Sequence, residues 1–191
     1  MDLKEKILST MKDLARQKGF HAVTTDELAA ACGISKRTLY RYFTGKDEIV
    51  ARVLDEMMNR VDQRVQEIMA GPAAPPEKLR ALVQAVLENI RFLDPNILSD
   101  LQRHYPHRWE QIEQFRTGRI ERLGEIFSEG ARRGFFREIN PDVLMAALTA
   151  SIRAVINPEF ILARAISLPQ AFDTLMEIFL YGISRVEGRD K

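Results

Sequence analysis

Apolar residues recur every three or four positions along almost all of the 191-residue chain. That is the period of helices, and the alternation of strands is almost absent. Leu3, Ile7, Met11 and Leu14 mark a first stripe, which Lys18-Gly19-Phe20 closes, Gly19 being suited to a left-handed position after a helix end. Thr24 and Glu27 then have the spacing of a capping box, opening a short helix through Ala31 that Gly33 breaks. Ser35 is placed to cap a second short helix over 36–43. Thr44 with Asp47 repeats the capping pattern ahead of a long helix over about 46–70, which at 1.5 Å per residue spans roughly 37 Å.

The stretch GPAAPP (71–76) is the clearest break. Stripes resume with Leu79, Leu82, Val83, Val86, Leu87 and Ile90. Ile112, Phe115, Ile120, Leu123 and Phe127 mark a long helix closing near Gly134, and Phe172, Leu175, Met176, Phe179, Leu180 and Ile183 mark the last one. Asp94-Pro95, Asn140-Pro141 and Asn157-Pro158 are each a capping residue followed by proline at the first helical position. The pattern predicts an all-α protein of about nine helices, with no internal repeat.

The segment CGISKRTLYRYFTGK (32–46) combines a greasy side with a basic, aromatic one. The helix from Thr24, the turn at Cys32-Gly33-Ile34 and the helix from Ser35 form a candidate helix-turn-helix, with Ala29 small at the crossing and Gly33 free to take the turn's backbone angles. Leu28, Ile34, Leu39 and Phe43 supply its buried side, leaving Lys36, Arg37, Thr38, Tyr40, Arg41 and Tyr42 outside. The first turn of the second helix would enter a major groove, where base edges are distinguishable. Lys36, Arg37 and Thr38 lie in that turn and are the candidates for base contacts, Arg37 as a bidentate partner of guanine. Ser35 belongs to the same end. Tyr40, Tyr42 and Lys46 suit phosphate contacts, Arg41 adds charge on that side, and Thr24 and Thr25 could hold the opposite backbone. The competing reading is an ordinary solvated face.

Charge alone does not decide between them. The formal net charge is +1, so nucleic-acid affinity has to come from local placement. The first fifty residues carry nine Lys/Arg against seven Asp/Glu, a mild excess. The hydrophobic fraction of 46% allows a sizeable core. The charged N-terminus lacks a signal peptide's apolar stretch, and no run approaches the length of a membrane span, so a cytoplasmic protein with no membrane partner is expected.

At this level of detail, residues 19–50, GFHAVTTDELAAACGISKRTLYRYFTGKDEIV, resemble the DNA-binding region of the TetR family of bacterial transcriptional regulators. The matching pieces are Gly19-Phe20, Thr24-Thr25, ELAAACGIS, LYRYF and KDEIV, in order and at full spacing. The pair Lys36-Arg37 departs from a family that often has a small residue or glycine at its second place. The resemblance implies an all-helical homodimer with an N-terminal helix-turn-helix domain, 1–46, that binds a palindromic double-stranded DNA operator. It also implies a larger helical domain, 47–191, which commonly binds a small molecule that releases the DNA. A ligand-responsive regulator, most simply a repressor, is therefore expected. A regulator without ligand control and a helical interaction module without DNA binding remain alternatives.

The C-terminal half is less legible. Ala146, Ala147, Ala150, Ser151 and Ala154 would let two helices approach closely, and with Phe172, Leu175, Met176 and Phe179 they are the candidate dimer face; core within one subunit is the other reading. The resemblance implies that these two helices make a four-helix interface across a two-fold axis. Phe92, Tyr105, Trp109, Phe115, Phe127 and Phe160, with Phe179 and several methionines, are candidates to line a cavity for an apolar or amphipathic effector, although aromatics at helical spacing are more often plain core.

Catalytic and metal chemistry find little support. His104, His107 and Glu110 have ligand-like spacing, but Pro106 interrupts their face and nothing completes a site, so a helix junction with packed Trp109 is expected and no metal. The single Cys32 excludes an internal disulfide and reads as a small buried thiol. No glycine-rich phosphate loop is present, a Cys/His nucleophile pair is unsupported, and neither an enzyme nor a cofactor is expected.

Overall fold

The computed structural model describes residues 2–90 and 95–184. Among them are ten helices and no strand: α1 Leu3–Ala22, α2 Thr25–Ala31, α3 Lys36–Tyr42, α4 Lys46–Ala70, α5 Pro75–Ile90, α6 Pro95–His104, α7 Pro106–Arg132, α8 Pro141–Val155, α9 Pro158–Arg164 and α10 Leu168–Ile183. The count exceeds the expected nine slightly. α6 and α9 are short and each opens on a proline, which lacks an N–H and cannot continue a preceding helix, so each stands as a separate element.

Most boundaries are set by the capping chemistry the sequence carries. Asp2 and Glu5 form a reciprocal capping box on α1. Thr24 accepts from the Glu27 amide at 3.2 Å, and Ser35 from the Thr38 amide at 3.1 Å. Asn140 accepts from Asp142 and Val143, and Asn157 from Phe160. Ser167 does the same for α10, bringing its start forward to Leu168. Two expectations change. Gly19 takes φ +80° as a kink, and helical turns resume through Ala22. Thr44 does not cap α4: its amide and hydroxyl donate to the Glu48 carboxylate at 2.6 and 2.8 Å, and the N-cap is Gly45. Asp94, expected to cap α6, lies outside the described residues.

α1 packs on α2, α4 and α6, while α4 runs on to pack against α5 and α7. Ile7, Met11, Phe20, Leu28 and Leu39 are fully buried beneath the first four helices, each stabilising by about 1.5–3 kcal/mol. The same core continues through Leu79, Leu82, Ile97, Leu101, Ile126 and Leu148 into the C-terminal bundle. α8 and α10 pack side by side.

Candidate nucleic-acid interface and effector cavity

α2 and α3 are joined by a tight turn in which Gly33 takes φ +69°. The Gly33 amide donates to Ala30 at 2.9 Å and the Ile34 amide to Ala29 at 3.0 Å, which fixes the direction in which α3 leaves. Ala29, Cys32, Leu39 and Phe43 are buried under this corner. Ile34 is half-buried and packs on the same core. The polar side of α3 therefore points out, as its residue spacing predicts.

The predicted DNA contacts divide into three groups. Arg37, Tyr40 and Arg41 are exposed, one to four residues apart on one helix face, with Tyr40 46% exposed. Ser35, Thr24, Lys36 and Lys46 already have partners. The Ser35 hydroxyl caps α3 and lies 2.9 Å from that of half-buried Thr38. Lys36 Nζ donates to Asp26 at 2.8 Å, which raises the lysine's pKa. Lys46 Nζ donates to the His21 carbonyl at 2.7 Å and so ties the start of α4 to the end of α1. Tyr42 and Thr25 are half-buried, and Tyr42 packs on the core. The Lys36–Asp26 and Lys18–Glu27 pairs were invisible to sequence reading, because each joins two helices whose relative placement is tertiary.

Further along, α4, α5, α7 and α10 enclose a cavity of about 170 Å³. Met57, Met58, Val61 and Val65 come from α4, and Trp109, Phe115, Arg116 and Arg119 from α7. Among the predicted cavity residues, Trp109 and Phe115 are on the wall. Three are elsewhere. Tyr105 sits at the α6–α7 junction, where burial pushes its phenol up to about 12. Phe127 packs 6.0 Å from Phe136 around a separate space. Phe160 lies under the Arg164 guanidinium at 4.3 Å. Phe92 lies outside the described residues. Methionines share the wall with Trp109 and Phe115, and the signal missed was that Glu113, Arg116 and Arg119 share the side of α7 that holds Ile112 and Ile120.

The candidate dimer residues also separate. Ala147, Ala150 and Ala154 are exposed on α8, and Ser151 is partly so. Leu175 is buried within the subunit, and Phe172 and Met176 line the cavity; Phe179 is half-buried. The outer face of α10 is made instead by Ile178 at 64% exposure and Tyr181 at 79%, and on α8 Val143 is 64% exposed. A broad apolar stripe shows that a helix is buried somewhere, and only packing shows which part of it faces inward.

The histidine motif is split. His104 ends α6 and His107 is at the start of α7, so no single helix face holds them. His104 stacks on His21 at 3.8 Å instead. Among the described residues no His, Cys, Asp or Glu cluster has the geometry to hold a metal, and no single helix is long and apolar enough to cross a membrane. Cys32 is buried in the turn, as its position suggests.

A helix-turn-helix with an exposed basic and aromatic face, set on an all-helical body, defines a DNA-binding transcriptional regulator. Residues 7–53 match the family described as bacterial regulatory proteins, tetR family, and the N-terminal unit of this chain is a TetR-family helix-turn-helix domain. Over 97% of its length the chain is 26% identical to the HTH-type transcriptional regulator YvaF of Bacillus subtilis, of which it covers 98%. It is 24% identical to the HTH-type transcriptional repressor KstR2 of Mycobacterium tuberculosis across 69% of this chain and 68% of that one. The fold matches the crystal structure of a TetR-family transcriptional regulator from Marinobacter aquaeolei VT8 with TM-score 0.78 at 21% identity, covering all of this chain and 95% of the other.

Proposed function

We propose that this protein is a repressor that binds a palindromic operator as a homodimer and is released by a small apolar molecule. Residues 1–46 are the DNA-binding unit and 47–191 the effector and dimerisation unit. The observation that carries the reading is the course of α4. Its first residue, Lys46, holds the end of α1 beside the helix-turn-helix, and Met57, Met58, Val61 and Val65 on the same helix form one wall of the cavity. A ligand that prefers one tilt of α4 therefore also prefers one placement of α3. By linkage, operator DNA and effector lower each other's affinity by the same factor, typically about 5–150-fold.

Val143, Ala147, Ala150, Ala154, Ile178 and Tyr181 suit a two-fold partner, which would set two α3 helices on successive major-groove faces. Within α3, Arg37 reads a base, and Tyr40 and Arg41 hold phosphates. Thr24, Thr25, Ser35, Lys36, Thr38, Tyr42 and Lys46 then serve as backbone contacts or supports. The test is selection from a random duplex pool by the purified protein. The expected result is an enriched palindrome, for which Arg37→Ala loses about 1–3 kcal/mol and relaxes choice at one base position. Weak, salt-sensitive binding with no enriched motif would sink the reading.

A further inference from the structure

Apart from Asn89 of α5, the wall of the cavity is apolar except at α7. There, Arg116 donates through Nη2 to Glu113 Oε2 and through Nη1 to the Ile156 carbonyl at 3.4 Å. Arg119 Nη2 lies 2.7 Å from Asp62 Oδ1 of α4, outside hydrogen-bond geometry, and its guanidinium sits 4.8 Å over the Phe115 ring. Two cations therefore answer two anions. Exposed Arg153 lies beyond them, 3.3 Å from the Thr117 hydroxyl. Asn89 also lines the cavity, neutral, with its amide donated to the Ala85 carbonyl at 2.8 Å. Burial disfavours the charge on Arg116, and Glu113 offsets that cost. Three buried polar atoms here, Glu113 Oε1, Asp62 Oδ1 and Arg119 Nε, have no hydrogen-bond partner and are closed off from the cavity surface.

We infer that the cavity selects an uncharged ligand with a small apolar body over a carboxylate or an amine of the same size. The inference rests on the reading of this cavity as the effector site. A carboxylate would have to draw Arg116 or Arg119 from its acidic partner, and an ammonium group would have to draw away Glu113 or Asp62. Either leaves a half-buried charge unpaired, on side chains between 21% and 26% exposed, which costs more than the new pair returns. An uncharged ligand leaves both ion pairs intact. The size follows from the volume, slightly above that of an apolar cavity that admits benzene.

The test is calorimetric titration of the full-length protein with octan-1-ol, octanoate and octylammonium, repeated on Glu113→Gln. The alcohol is expected to bind at least about tenfold tighter than either ion. In E113Q, which keeps the shape but removes the partner of Arg116, octanoate is expected to gain on the alcohol. Equal or tighter binding of either ion to the natural protein would overturn the inference, as would an E113Q variant with an unchanged order. If none of the three binds, the cavity is not the effector site, and the reading it rests on falls as well.

Discussion

Two carboxylates in and next to the helix-turn-helix unit are held as anions by neighbours that donate to them. The backbone amide and hydroxyl of Thr44 hold Glu48 below its ordinary value of 4.5, and the Lys18 ammonium does the same for Glu27. A depressed carboxylate pKa stabilises above the unfolded value, and that contribution disappears as pH falls through the folded value. Thermal unfolding between pH 7 and pH 3 is therefore expected to show a stability loss beginning near the carboxylate range, with Glu48→Gln less stable at pH 7 and less acid-sensitive. Parallel curves for the variant and the natural protein would remove this role. Lys36 has the opposite sign: its pKa is raised by Asp26, so its contribution is lost as pH rises through the folded value. At this scale the sequence showed which residues could ionise near the candidate interface. It did not show their partners, because Lys36 and Asp26 are ten positions apart and meet only when α2 and α3 pack at their observed angle.

At the scale of elements, helix starts were legible and helix contacts were not. A serine or asparagine side chain accepts from amides two or three residues on, so the N-caps at Ser35, Asn140 and Asn157 follow from local sequence. Gly130 shows what local sequence cannot give. It lies inside α7, and a Cβ there would meet the Phe136 ring at 2.1 Å. The ring folds back over α7 in this way because Gly134 takes φ +76° and the Phe136 amide returns to the Gly130 carbonyl at 3.2 Å. Gly130→Ala is expected to destabilise by about 1–3 kcal/mol through overpacking, despite alanine's better helix propensity. A denaturation midpoint equal to or above that of the natural protein would refute this. Gly19 has a related constraint, since its φ of +80° is joined by a close approach to Asp100, whose carboxylate accepts the His21 amide at 3.0 Å.

For the whole molecule, the strongest expectation concerns the surface of α8 and α10. Ile178 and Tyr181 are among the most exposed large apolar side chains of the described residues, and α10 packs on α8, whose Ala147, Ala150 and Ala154 are exposed as well. An exposed apolar face of this kind marks an interaction surface. The double variant Ile178→Asp with Tyr181→Asp is expected to be monomeric by sedimentation or light scattering while keeping its helical circular dichroism, and to bind operator DNA far more weakly. A stable dimer with both charges present would place the interface elsewhere. The corresponding change at Met176, which lies on the cavity, would instead disturb the subunit's own packing.

By itself the sequence determined what depends on short range: helical periodicity, caps, the turn at Gly33, and a second short helix with one apolar and one basic side. Those features are written within a few residues of one another, and they are also what makes the N-terminal domain recognisable. The tertiary structure alone decided which face of each long helix points inward. It placed Phe172 and Met176 at a cavity rather than on a subunit face, and Glu113, Arg116 and Arg119 at that cavity rather than in solvent. The reason is that burial is a property of neighbours from distant parts of the chain. A helix carries the same stripe whether it covers a core, a ligand or a second subunit.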